Sequence, residues 1–208
     1  DDPLSSVRGP ACIALAALVP GNLIERQTPA ILTSISLYPG TDGAIILLGK
    51  TGSDKAIELL NQDEVSGANP DDTEMALARL GVVESQNALI KAYLNADNVE
   101  EKALQARRLG YVSSDRTKRI LAEDIRTPLT YMWHPPARRS LRIHIIEALH
   151  LAFPEEAIFW QPIVTPSDDS YYQAIEDWLN KTLGTKWTQP RPDFLYEEDS
   201  PIMPSQEF

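Results

Sequence analysis

Short apolar runs with a helical period follow one another along this chain, and glycine or serine separates them. In the stretch TEMALARLG the apolar residues fall mostly on one helical face, at positions 75, 77, 78 and 80. Gly81 comes next and suits the left-handed position that ends many helices. Ser85 is a candidate N-cap for the following run, NALIKAYL. This stretch therefore predicts an αα-hairpin with a tight turn, and it places Leu80 in the core.

The Leu-Gly pair and the helices around it recur. Pairs at 48–49, 80–81 and 109–110 are spaced by 32 and 29 residues, and a fourth pair lies at 183–184. Degenerate units are predicted at Leu151-Ala152 and at Thr28-Pro29. Asn98, followed by Glu101, predicts a helix start between two units. The pattern as a whole predicts ten to eleven helices and no sheet, with Leu109 in the core.

The three clear units cover about 80 residues and resemble HEAT repeats, in particular the short bacterial type related to phycobilin-lyase HEAT-like repeats. The resemblance implies an all-α solenoid of about five helical hairpins in a right-handed stack, whose concave face binds another protein. We expect this solenoid to span residues 1–187, with Trp178 and Trp187 closing the core at its last helix. Residues 188–208 contain four prolines and five acidic residues, and they predict an irregular acidic tail.

One stretch, Thr127–Arg142, interrupts the repeats and combines aromatic residues with arginines. It belongs to a basic segment, residues 102–142, that holds ten basic and three acidic residues and so carries +7 in a chain of −11. Because aromatic residues and arginine dominate many interfaces, this segment predicts a surface for an acidic protein partner. The expected partner-binding residues are Tyr131, Trp133, Arg138, Arg139, Arg142, Arg107 and Arg108. Arg138 and Arg142 are expected to lie one helical turn apart and to be solvated.

No pattern in the sequence indicates catalysis, a metal or a cofactor, so we expect none of the three. His144 and His150 are six residues apart, and on a helix their rings are expected to diverge. The stretch GKTGS at 49–53 lacks the first glycine of a phosphate-binding loop, and no strand pattern precedes it. The single cysteine, Cys12, forms no disulfide within the chain.

These observations favour a non-enzymatic scaffold or adaptor, and two alternatives stay open. The first is a protein that binds nucleic acid or an anionic ligand, including a HEAT-like DNA glycosylase that would use Trp133, Arg107, Arg108 and Asp115. The net charge of −11 weighs against nucleic acid as the partner. The second alternative, a chromophore lyase-type chaperone, follows from the repeat type alone.

The cellular compartment is also open at this stage. No run of about 18 apolar residues is present, so no membrane-spanning helix is expected. The apolar run Ala11–Val19 predicts a buried first helix, although Arg8 before it is also typical of a signal-peptide core. We slightly favour the cytoplasm, and an exported form remains an alternative.

Overall fold

The computed structural model describes residues 11–12, 28–37, 43–62, 69–134, 137–159 and 169–187. In these ranges the chain forms nine α-helices, a short antiparallel hairpin and one 3₁₀ turn. The helices are α1 (Thr28–Leu37), α2 (Ala44–Gly49), α3 (Asp54–Leu60), α4 (Pro70–Arg79), α5 (Val83–Leu94), α6 (Val99–Val112), α7 (Asp115–Asp124), α8 (Leu141–Ala152) and α9 (Asp169–Leu183). Strands β1 (Thr130–His134) and β2 (Ala137–Ser140) precede α8, and the 3₁₀ turn (Ala157–Phe159) follows it.

The all-α fold class is therefore confirmed, and the prediction of no sheet is wrong at the hairpin. The described ranges include no helix of a length and apolarity that could cross a membrane. The predicted tail at 188–208 lies outside the described residues, as does most of the apolar run at 11–19. The chain divides into two compact units, residues 1–91 and residues 92–208, and the boundary falls within α5.

The first unit packs α2 against α4, and α3 contacts both. Its buried core consists of small and branched aliphatic side chains: Ala44, Ile45, Leu48, Ala56, Leu60 and Ala76. Leu80 is only partly buried against this core, so its predicted core position is peripheral. Asn69 caps α4, because its side chain accepts a hydrogen bond from the backbone of Asp72.

Gly81 ends α4 as predicted. Its φ angle is +98°, and its N–H donates to the carbonyl of Ala78 while the N–H of Val82 reaches the carbonyl of Leu77. These two bonds are those of a Schellman motif, which satisfies the last carbonyls of a helix. Ser85 is not the N-cap of the next helix, because α5 already begins at Val83.

The pair at 183–184 also behaves as predicted, because α9 ends at Leu183 and Gly184 follows it with a φ of +65°. The pairs at 48–49 and 109–110 have different roles. Gly49 is the buried last residue of α2, and the chain turns three residues later, at Gly52, whose φ is +63°. Gly110 lies inside α6, which continues to Val112, and Ser113 takes the left-handed conformation instead. The prediction of a turn at Gly110 is therefore wrong.

The second unit is built on α6, α7 and α8. Both α6 and α8 contact each other and α7. Gly110 of α6 is in contact with Ala148 of α8. Ser113, three residues after Gly110, donates a hydrogen bond from its hydroxyl to the carbonyl of Ala152 at 2.9 Å. Residue numbers increase on both helices from the first contact to the second, so α6 and α8 are parallel.

Gly110 is the residue that allows α6 and α8 to approach. A β-carbon added there would lie 2.7 Å from the Cα of Ala148, closer than such atoms come in proteins. The predicted core residue Leu109 is fully buried beside it, together with Ile145 and Leu149 of α8.

At the end of this unit, Trp178 of α9 packs edge-on against Phe153 and Phe159, with ring centroids 5.0 and 5.2 Å away. This contact agrees with the expected closing role of Trp178.

Candidate functional site

The stretch that interrupts the repeats folds as the β-hairpin. Thr130 pairs with Ser140, Tyr131 with Arg139 and Met132 with Arg138, and the register shifts between Met132 and His134. The hairpin is joined at its base by the N–H of Leu141, which donates to the carbonyl of Leu129 at 2.9 Å. The side chains of Trp133, Arg138 and Arg139 lie outside the described residues, so their role in partner binding stays a prediction.

Arg142 does not lie on a partner surface, which corrects the prediction. Ser140 caps α8, and Arg142 follows in the first turn of that helix with only 1% of its surface exposed. Its Nε donates to the carbonyl of Ile125 at 2.8 Å, and its guanidinium lies 4.2 Å from the ring centre of Tyr172. Arg138 belongs to β2, so the two arginines are not one helical turn apart.

A second arginine is used inside the fold in a similar way. Arg126 forms an ion pair of 2.8 Å with Glu176, which is buried, and its guanidinium lies 4.3 Å from the ring centre of Trp187. Glu176 and Tyr172 are one turn apart on α9. We call the set Arg126, Arg142, Tyr172, Glu176 and Trp187 the arginine–aromatic cluster. Burial raises the pKa of Tyr172, and the neighbouring Arg142 partly offsets that effect.

A third basic side chain of the segment is paired beside α7. Lys102 forms an ion pair of 2.9 Å with Asp124, and the Tyr93 hydroxyl donates to the same carboxylate at 2.7 Å. Burial, and then the charge of Asp124, raise the pKa of Tyr93 far above its usual value. The excess positive charge of residues 102–142 is thus partly consumed by contacts within the unit.

An open concave surface of this unit lies between α6 and α8, and we call it the α6–α8 groove. Its volume is about 1230 Å³. Its apolar side includes Leu104, which is 53% exposed, and Leu151, which is 42% exposed. Polar residues from both helices line it as well: Asn98, Glu100, Glu101, Arg107, His144, Glu147 and His150.

A chain of three hydrogen-bonded side chains forms one wall of the groove. Glu147 Oε2 lies 3.1 Å from Nδ1 of His144, and Nε2 of the same ring lies 2.8 Å from the hydroxyl of Tyr131. With a proton on Nδ1, the imidazole donates to the carboxylate and accepts the hydroxyl proton at Nε2. These two hydrogen bonds join Tyr131 of β1 to His144 and Glu147 of α8, and so they fix the hairpin against the helix.

The structure brings part of the predicted set together. Tyr131 and the exposed Arg107 both line the groove. Arg108 does not; it is half-buried, with its Nη1 3.5 Å from Oε1 of Gln105.

Several groove residues were missed by sequence reasoning. His144 and His150 both line the groove, although their spacing predicted divergent rings, because the groove covers more than one face of α8. The i, i+3 spacing of His144 and Glu147 was a signal that could have found the wall.

The described residues include no group of three or more histidine, cysteine or carboxylate side chains that could hold a metal ion. Comparison of the chain with protein-family models, with curated proteins and with solved structures gave no match.

Proposed function

We propose that this protein is a non-enzymatic scaffold of HEAT-like helical hairpins that binds another protein through the α6–α8 groove and the adjoining hairpin. The helix contacts support the repeat architecture. In residues 1–91, α2 and α4 are neighbours and α3 contacts both; in residues 92–208, α6 and α8 are neighbours and α7 contacts both. Stacked hairpins of a solenoid place equivalent helices side by side in this way.

The observation that carries the binding proposal is the pair of exposed leucines in the groove. Leu104 and Leu151 expose roughly half of their surface on two helices that approach closely at Gly110 and Ala148. A concave surface with exposed apolar side chains and a polar rim is typical of a protein-binding site. The hairpin arginines, Arg138 and Arg139, stay predicted contacts for an acidic part of the same partner.

Nucleic-acid binding has less support than protein binding. The basic segment suggested it, but Lys102, Arg126 and Arg142 are engaged within the second unit. Fewer basic side chains are then available to neutralise phosphates.

The test is a quantitative pull-down from the native host with three forms of the full chain. These are the wild type, Leu104→Asp/Leu151→Asp, and the control Val83→Asp/Leu94→Asp, which changes two aliphatic residues that are exposed outside the groove. A protein that is retained by the wild type and the control and lost by the groove variant is then purified, and its affinity is measured by calorimetry. We expect the groove variant to bind it at least about thirtyfold more weakly, or ~2 kcal/mol. Equal affinities for the groove variant and the control would contradict the proposal.

A further inference from the structure

The charges around the groove indicate which kind of segment it accepts. Glu100 and Glu101 lie in the first turn of α6, and Glu147 lies on α8, whereas Arg107 is the one Lys or Arg side chain among the lining residues that the structure describes. With neutral histidines the lining carries two more negative than positive charges. The described lining is thus acidic although part of it, including Arg107 and Tyr131, belongs to the basic segment.

The apolar residues of the groove sit between these charges. Along α6 the order is Glu100, Leu104 and Arg107, and along α8 it is His144, Glu147 and Leu151. The positions are three to four residues apart, so on each helix they share a face. A ligand that lies along both helices meets leucine and carboxylate within one turn of each other.

We infer that the groove binds a short amphipathic segment of a partner protein that presents leucine-like side chains together with Lys or Arg. Charge complementarity with Glu100 and Glu147 selects a basic segment, and burial of Leu104 and Leu151 supplies the affinity. By the same argument a segment with the acidic composition of residues 188–208 is a poor ligand, because like charges would meet. The inference rests on the proposed function and names the chemistry of the partner.

The test uses two fluorescein-labelled helical peptides of about 14 residues, with leucines at i, i+3, i+4 and i+7. One peptide has lysine at the remaining charged positions and the other has glutamate. Binding is followed by fluorescence anisotropy at about 0.15 M salt, where long-range attraction to the net charge of −11 is screened. We expect the lysine peptide to bind the wild type about tenfold more tightly than the glutamate peptide.

The charge-reversal variant Glu100→Lys/Glu147→Lys should invert this preference. The single variant Glu100→Lys leaves the contact of Glu147 with His144 intact and should reduce the preference without inverting it. The matched control is Glu58→Lys/Glu123→Lys, which makes the same change in net charge at two exposed residues outside the groove lining. The control should keep the wild-type preference, and circular dichroism should show the same helix content in all forms.

Two results would overturn the inference. One is a glutamate peptide that binds the wild type as tightly as the lysine peptide. The other is a control variant that loses the preference as much as the groove variant does, which would mean attraction to net charge alone. If Leu104→Asp/Leu151→Asp still loses the host partner in either case, the proposed function stands and only the chemistry of the segment is wrong.

Discussion

Residues 1–91 and residues 92–208 both pack two helices with a third helix against the pair, but they fill the space between helices differently. The core cluster of the first unit consists of alanine, leucine and isoleucine, and the unit buries Lys50, Thr73 and Ser85 outside that cluster. The second unit buries larger polar side chains, two of them charged: Arg142, Glu176, Tyr172 and Tyr93. An aliphatic core tolerates small shifts, whereas a buried charge must keep its partners at hydrogen-bonding distance. The second unit should therefore depend more than the first on individual side-chain contacts.

The largest effect is expected at the glycines of two Leu-Gly pairs, one in each unit. Gly110→Ala places a methyl group against the backbone of Ala148, so α6 and α8 must separate, at a cost of about 3 kcal/mol or more. Gly81→Ala meets nothing within 4 Å and costs only the strain of its positive φ, about 1–2 kcal/mol. Urea unfolding, with hydrogen exchange assigned to each unit, measures both. A Gly81 variant that is the less stable of the two would show that α6 and α8 can part easily.

Replacement of the leucine before each glycine should also cost more stability in the second unit than in the first. Leu109→Ala empties a fully buried site and should cost about 3–4 kcal/mol. Leu80→Ala removes a partly buried side chain at the edge of the first core and should cost about 1–2 kcal/mol. Both free energies of unfolding come from the same urea experiment. Equal losses would mean that the two core positions are equivalent, as the sequence pattern predicted.

Much of the local structure could be predicted because it depends on neighbours in the sequence. The N-cap at Asn98 and the turn at Gly81 are examples, since each is set by hydrogen bonds within five residues. The same local pattern failed at Gly110, where the deciding contact is Ala148, 38 residues further on. A Leu-Gly pair alone therefore does not distinguish a glycine that ends a helix from one that allows two helices to approach.

The candidate site was less predictable for the same reason. The charge of residues 102–142 was visible in the sequence, but the burial of Arg142 depends on Tyr172, in a helix 30 residues away. The groove depends on the parallel arrangement of α6 and α8, which no local pattern encodes. Tyr131 and Arg107 were found because aromatic and basic residues are frequent at interfaces, whereas Leu104 and Leu151 look like ordinary core positions in a helical pattern.

Replacement of the buried arginine should destabilise the second unit by about 3 kcal/mol. Arg142→Ala removes a charged donor to the Ile125 carbonyl and the stacking on Tyr172, and it leaves a cavity. Arg142→Lys should restore little, because an ammonium cannot stack on the ring and donate from the Nε position at once. Thermal unfolding by circular dichroism measures both variants. A melting temperature close to the wild-type value for Arg142→Ala would mean that the side chain is solvated, as first predicted from the sequence.

The two units should respond to alkaline pH with opposite signs. Burial, and then Arg79, lower the pKa of Lys50 in the first unit from 10.5 to about 8. Between pH 8 and 10.5 the Lys50 amine is protonated in the unfolded chain and neutral in the folded one. The first unit therefore gains stability as pH rises through this range, on the order of 2 kcal/mol. In the second unit the pKa of Tyr93 is raised, so its neutral form stabilises the fold below pH ~10 and that contribution is lost at higher pH.

Hydrogen exchange of each unit across pH 7 to 11 tests this contrast. Lys50→Met should abolish the gain in the first unit, and Tyr93→Phe should weaken the alkaline loss in the second. Tyr171 and Tyr172 also have raised pKa values through burial, so some loss should persist in Tyr93→Phe. If the stability of both units changed with pH in the same direction, the opposite effects attributed to Lys50 and Tyr93 would be wrong.

The smallest expected difference concerns the two asparagine caps. Asn98 Oδ1 accepts from the N–H of Glu101 at 2.8 Å, and the carboxylate of Glu101 accepts in turn from the N–H of Asp97. Asn69 accepts a longer bond, 3.3 Å, from the N–H of Asp72, and its Nδ2 donates to the exposed carboxylate of Asp72 at 2.6 Å. Because the bond from the helix backbone is shorter at Asn98 than at Asn69, Asn98→Ala should cost about 1 kcal/mol and Asn69→Ala about half of that. Asn98→Ser should restore most of the loss, since a hydroxyl can also accept the bond. Exchange rates of the first-turn amides of α4 and α6, read with urea unfolding, give both values. If serine fails to restore stability, Asn98 acts through its position in the groove lining and not as a cap. The asparagines of the two units would then differ in role as well as in the length of their hydrogen bonds.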